Sequence, residues 1–69
     1  MQVIKLKGDY IKLGQALKAA GLAETGVDAK IAVQEGLVKV NGSVETQRGK
    51  KLTGGEIISY NGEEIKIEL

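Results

Sequence analysis

The chain has 69 residues, which is room for one small domain. It contains no Cys and no His, so disulfide scaffolds, zinc sites of the usual kind, thiolate nucleophiles and Ser-His-Asp catalysis are excluded. Net charge is only +1, yet from Lys12 to Lys51 seven basic residues face four acidic ones, and from Leu52 onward one faces four. Charge counting alone favours an ordinary solvated surface, and the alternative is a basic patch facing a polyanion with an acidic back.

In chain order, Val3-Ile4-Lys5-Leu6-Lys7 reads as a short strand. Gly8 ends it, and Asp9 is the expected N-cap of a first helix. Tyr10, Leu13, Leu17 and Ala20 recur at helical spacing as one apolar stripe, with Tyr10 half in the core and Lys12, Gln15 and Lys18 on other faces. Gly21 stops this helix, and Leu22 is placed to pack back on it. Thr25 caps a second helix, with Asp28 three residues on as the short arm of a capping box. Ala29, Ile31, Ala32 and Val33 are its expected buried side, and Gly36 ends it.

The period then changes from helix to strand. Leu37–Val40 and Ser43–Thr46 flank Asn41-Gly42 as a hairpin, and Asn61-Gly62 makes a second one between Ile57–Tyr60 and a last strand of Ile65, Ile67 and Leu69. Between the hairpins lie a basic loop, residues 47–51, and a Gly54-Gly55 turn. The fold class is α+β: a helix-turn-helix-like pair packed on a small, largely antiparallel sheet, in one domain spanning 1–69.

Residues 49–54 have the glycine spacing of a Walker loop, but Gly55 stands where the lysine must be. The nine carboxylates are scattered, and Glu63-Glu64 would point to opposite sides of a strand. No enzyme activity, cofactor or metal is expected. Only Tyr10 and Tyr60 are aromatic, so stacking of flipped-out bases, which sheet-based RNA readers use, is not anticipated. No signal peptide or long apolar run is present, which makes the cytoplasm the default location and leaves no membrane contact.

Several elements together resemble the RNA-binding domain named for ribosomal small-subunit protein four, also called the αL motif. They are Lys12-Leu13-Gly14 with Leu17, Gly21-Leu22, Thr25 to Lys30, and Gly36-Leu37-Val38-Lys39-Val40-Asn41-Gly42. Lys50-Lys51-Leu52 and Gly55-Glu56-Ile57-Ile58 resemble the basic loop and Gly-Asp turn that follow in the family. The resemblance covers about residues 11–60, and within the family it points to the stand-alone bacterial group called YbcJ-like or YaaA-like. Lys12 and Gly14 stand where the family has Arg and Asp, and Thr25-Gly26 where it has Ser-Arg. Lys30 keeps the second basic position as a point charge without a guanidinium fork.

The resemblance implies a monomeric, non-catalytic module for structured RNA, with ribosomal RNA the first expectation and tRNA the second, in ribosome assembly or translation. The expected contacts are Lys12, Thr25, Gly26, Lys30, Lys39, Asn41, Arg48, Lys50 and Lys51, on a face made by the first helix, the start of the second and the hairpin and loop after it. The rival readings are a protein-interaction module using the same basic face on an acidic partner, and DNA binding by the helix pair. The latter would need base-reading side chains, and the second helix offers only Lys30, Gln34 and small residues.

Overall fold

A computed structural model describes residues 1–69. The elements in order are β1 (Gln2–Lys5), β2 (Ile11–Lys12), α1 (Leu13–Ala19), α2 (Gly26–Gln34), β3 (Val38–Val40), β4 (Ser43–Val44), β5 (Lys51–Leu52), β6 (Ile57–Tyr60) and β7 (Glu63–Glu68). Five strands form one sheet in the order β1-β7-β6-β3-β4, and β2 pairs with β5 in a separate two-stranded ribbon. The sheet is largely antiparallel, as its two tight hairpins require. Its exception is β1, which runs parallel to β7 at the edge, with Gln2 opposite Ile65 and Lys5 opposite Glu68.

Both hairpin turns put two consecutive residues at positive φ: Asn41 at 53° with Gly42 at 84°, and Asn61 at 53° with Gly62 at 79°. That is the twist-matched two-residue turn, and Asn is the side chain that best tolerates its first position. The helix ends follow local chemistry as well. Gly21 N–H donates to the Lys18 carbonyl and Leu22 N–H to Leu17; Gly36 N–H donates to Val33 and Leu37 N–H to Ala32. These paired bonds close both C-termini with glycine in the left-handed region. Thr25 Oγ1 accepts the Asp28 N–H at 3.1 Å, and the return arm expected from Asp28 is not made.

One layer of helix covers one face of the sheet. Leu13, Ala16 and Leu17 of α1 and Ala29, Ala32 and Val33 of α2 meet Val38, Val40, Ile58, Ile65 and Ile67, with Leu52 of β5 closing the side. Each fully buried Val, Leu or Ile side chain here stabilises the fold by about 1.5–3 kcal/mol, and no buried side-chain N or O lacks a partner.

Several sequence expectations are corrected. The first helix begins at Leu13, not after Asp9: residues 11–12 are held extended by pairing with β5, so Lys12 is the N-cap residue, at φ −79° and ψ 148°. Tyr10 therefore lies before the helix and is 43% exposed. Ile31 is 53% exposed, because α2 buries only the Ala29, Ala32 and Val33 stripe and Ile31 lies on the opposite side of the helix. Leu69 is 85% exposed, since the β7 pairing ends at Glu68. The basic stretch is also not all loop, as Lys51 is in β5, and the strand after Asn41-Gly42 ends at Val44.

Candidate nucleic-acid interface

The N-terminus of α1 is capped by a distant segment. Leu13 N–H donates to the Lys50 carbonyl at 2.9 Å and Gly14 N–H to the Arg48 carbonyl at 3.0 Å. Helix starts leave such donors unsatisfied, and here the basic loop supplies the acceptors. On the other side, Gln15 Oε1 accepts the Lys12 N–H at 3.2 Å. The consequence is positional: the backbone that satisfies the helix also fixes Arg48, Lys50 and Lys51 against α1.

Gly14 permits the closest part of that contact. A Cβ there would lie 2.6 Å from Arg48 Cγ and 3.1 Å from Cδ, so the aliphatic stem of Arg48 rests where a side chain would otherwise be. Next to it is an open basin of about 280 Å³ lined by Lys12, Gly14, Gln15, Lys18, Gly26, Arg48 and Gly49, with no apolar side chain. Three separate segments thus bring three cations to one small polar hollow. Lys30 lies four residues beyond Gly26, on the same side of α2, and is exposed.

Lys51 extends the cluster. It stands directly opposite Lys12 in the β2–β5 pair, and its Nζ lies over the Tyr10 ring, 4.8 Å from the centroid. Lys50 is exposed beside Glu56. Burial works against ionisation of the Glu56 carboxyl. Bonds donated by the backbone N–H groups of Thr53, Gly54 and Glu56 itself, together with the Lys50 charge, outweigh it and hold the group below the usual Glu value. Glu56 Oε2 accepts from Thr53 N–H at 2.9 Å and Oε1 from Gly54 N–H at 2.8 Å, so this carboxylate closes the loop leading out of β5.

Two expected residues stand apart. Lys39 is in register with Val44 and Ser59 on the sheet face turned away from the helices, between buried Val38 and Val40. Asn41 is tied to the sheet: its N–H donates to the Ile57 carbonyl at 2.8 Å and its Oδ1 accepts the Ile57 N–H at 2.9 Å. Thr25 keeps an exposed hydroxyl that already serves as the α2 cap. Lys18 and Gln15, absent from the expected contacts, line the basin. Lys18 follows Gly14 by one helical turn, a spacing readable from the sequence once Gly14 is known to face the site.

A family model described as the S4 domain matches residues 4–68. YbcJ of Escherichia coli is 39% identical over 61 residues, covering 88% of this chain and 87% of that protein. Its solution structure, described as revealing an αL motif involved in RNA binding, superimposes with a TM-score of 0.76 at 37% identity, covering 100% of this chain and 89% of that one. A Bacillus subtilis protein named "Probable ribosome maturation protein RlbA" is 36% identical over 59 residues, covering 86% of this chain and 83% of its own. A tyrosine–tRNA ligase of Burkholderia lata is 32% identical over 59 residues, a segment that is 14% of the ligase.

Proposed function

The chain belongs to the S4 domain family, and from that premise we propose that it is a non-catalytic module that binds structured RNA, with ribosomal RNA in ribosome assembly or translation as the target. The observation that carries the reading is the wholly polar basin in which Lys12, Lys18 and Arg48 converge from β2, α1 and the loop before β5. A hollow with three cations and no apolar wall suits phosphate oxygens, and backbone contacts of this kind read the shape of a folded RNA. The side chains present can donate hydrogen bonds and neutralise charge, and none of those lining the basin is a carboxylate, hydroxyl, thiol or imidazole.

Ribosomal RNA is favoured over tRNA because RlbA, with a ribosome-maturation name, matches along most of its length. The ligase match is confined to a small part of a much larger protein. In this reading the working unit is a monomer in the cytoplasm. No helix is long and apolar enough to cross a membrane.

Filter binding against a ribosomal RNA fragment, tRNA, duplex DNA and single-stranded RNA across a salt series tests the proposal. Affinity should fall steeply with salt, since release of counterions from phosphates is the main driving term. Lys18→Ala and Arg48→Ala should each make the log–log slope shallower by about one unit. Lys66, on the sheet face away from the helices opposite Ile57 and Val3, is the control, and Lys66→Ala should leave binding intact. Equal loss from all three replacements would mean nonspecific attraction, and equal affinity for duplex DNA would overturn RNA as the partner.

A further inference from the structure

A second depression adjoins the basic basin, and nothing in the phosphate-binding reading uses it. It is a groove of about 390 Å³ between α1 and the segment joining β1 to β2, within the lower part of the size range of small-molecule sites. Ile4, Leu6, Tyr10 and Ile11 supply apolar walls, and Lys5 and Lys7, both exposed, also line it.

Three observations separate this groove from an ordinary surface dip. Tyr10 is substantially exposed, whereas Tyr60, the other tyrosine, packs against the core. The Lys51 ammonium lies over the Tyr10 ring, 4.8 Å from its centroid, and Lys51 does not itself line the groove, so the cation adjoins the aromatic ring without filling the space. Gln15 lines both the groove and the basin. Its Oε1 is committed to the Lys12 N–H, and its carboxamide N–H groups remain as donors at the junction.

A ligand for the combined surface must carry negative charge at one end and a flat apolar body at the other. We propose that the groove takes one unpaired nucleobase of the bound RNA, stacked on Tyr10, while the adjoining phosphates lie in the Lys12, Lys18 and Arg48 basin. The inference rests on the RNA-binding reading and deepens it: the preferred target is a helix carrying a bulged or looped-out nucleotide. The chain is short of aromatic residues, so a base contact must come from this one ring. Base-on-aromatic stacking is sequence-tolerant, so the site selects an extruded base with little regard to which base it is.

The chain has no Trp, so in Tyr60→Phe the Tyr10 ring is the sole fluorophore of its class. Two probes are compared: an RNA hairpin with a single-nucleotide bulge, and the same hairpin fully paired. The bulged hairpin should quench Tyr10 emission and bind at least about fivefold more tightly, the lower end of what one stacked base contributes. Tyr10→Leu should bring the ratio of the two affinities to about one, and Tyr10→Phe should keep the preference, because the ring and not the hydroxyl carries it. If both hairpins bind equally without quenching, or Tyr10→Leu leaves the preference in place, the base site is wrong while RNA binding stands. If neither hairpin binds at low salt, the RNA reading itself fails and the base site with it. Should Tyr10→Leu not fold, the Tyr60→Phe quenching and the Tyr10→Phe preference decide the matter alone.

Discussion

Lys12 and Lys51 face each other directly across the β2–β5 pair, so two ammonium groups leave the same side of a two-residue ribbon. Like charges at directly paired positions destabilise a sheet, and this ribbon is also what keeps the chain extended until α1 begins at Leu13. In the proposed RNA-binding reading, a polyanion at the rim of the basic basin would neutralise both charges on binding.

The first prediction follows from that opposition. Lys12→Glu turns a repulsive pair into an attractive one and should raise stability by about 0.2–1 kcal/mol. In a domain of this size that is a rise of up to several degrees in Tm. RNA affinity should fall at the same time, because an anion now stands in the basin. Thermal melts and filter binding on the same variant check the two halves. A variant that lost stability, or that bound RNA as tightly as the parent, would contradict the account.

A second prediction concerns Gly14 and Arg48. Gly14→Ala adds a methyl group where Arg48 Cγ lies 2.6 Å away, so the arginine stem must leave its place over α1. Helix propensity favours alanine by up to about 1 kcal/mol, which offsets the local displacement and leaves net stability within about 1 kcal/mol. RNA binding should drop to the level of Arg48→Ala. Adding Gly14→Ala to Arg48→Ala should weaken it no further, the non-additivity of two changes acting on one contact. Additive losses would show that Gly14 acts by another route.

What was legible beforehand sorts by distance along the chain. Asn41-Gly42, Asn61-Gly62, the glycines at 21 and 36 and the Thr25 cap are each set within a few residues, and all appear as read. Asp9 is a good local cap and points to an earlier start for α1, whereas the real acceptors are carbonyls of Arg48 and Lys50, more than thirty residues away. A two-residue ribbon has no periodicity to detect, so β2 and β5 gave no signal, and with them went the exposure of Tyr10. The parallel pairing of β1 and β7 joins the two ends of the chain and is equally invisible to local pattern. At the site, Arg48 and Lys12 were legible as charges. The gathering of Lys18 and Gln15 with them depends on that same long-range docking, whereas the place of Lys39 on the other face of the sheet follows from the local alternation Val38-Lys39-Val40.

The third prediction uses acid. Glu56 accepts backbone N–H groups from Thr53 and Gly54, in a loop where Gly54 and Gly55 take φ of 123° and 92°. Those bonds and the nearby Lys50 charge favour the ionised carboxylate in the folded protein, so its folded pKa lies below the ordinary value. A carboxyl group of this kind lends stability that is fully present above its unfolded pKa, about 4.3, and is lost as pH falls through the folded one. Glu56→Gln keeps one oxygen acceptor and removes the charge, so near neutral pH it should cost about 1 kcal/mol. The gap between parent and variant should hold from neutral pH down to about 5 and then narrow as the solution is acidified further, because the parent's Glu56 takes up a proton and loses its advantage. Urea unfolding of both proteins over that range measures the gap directly. A gap that widened toward acid would mean Glu56 is held protonated in the fold, and one independent of pH would mean its charge contributes nothing to closing the loop.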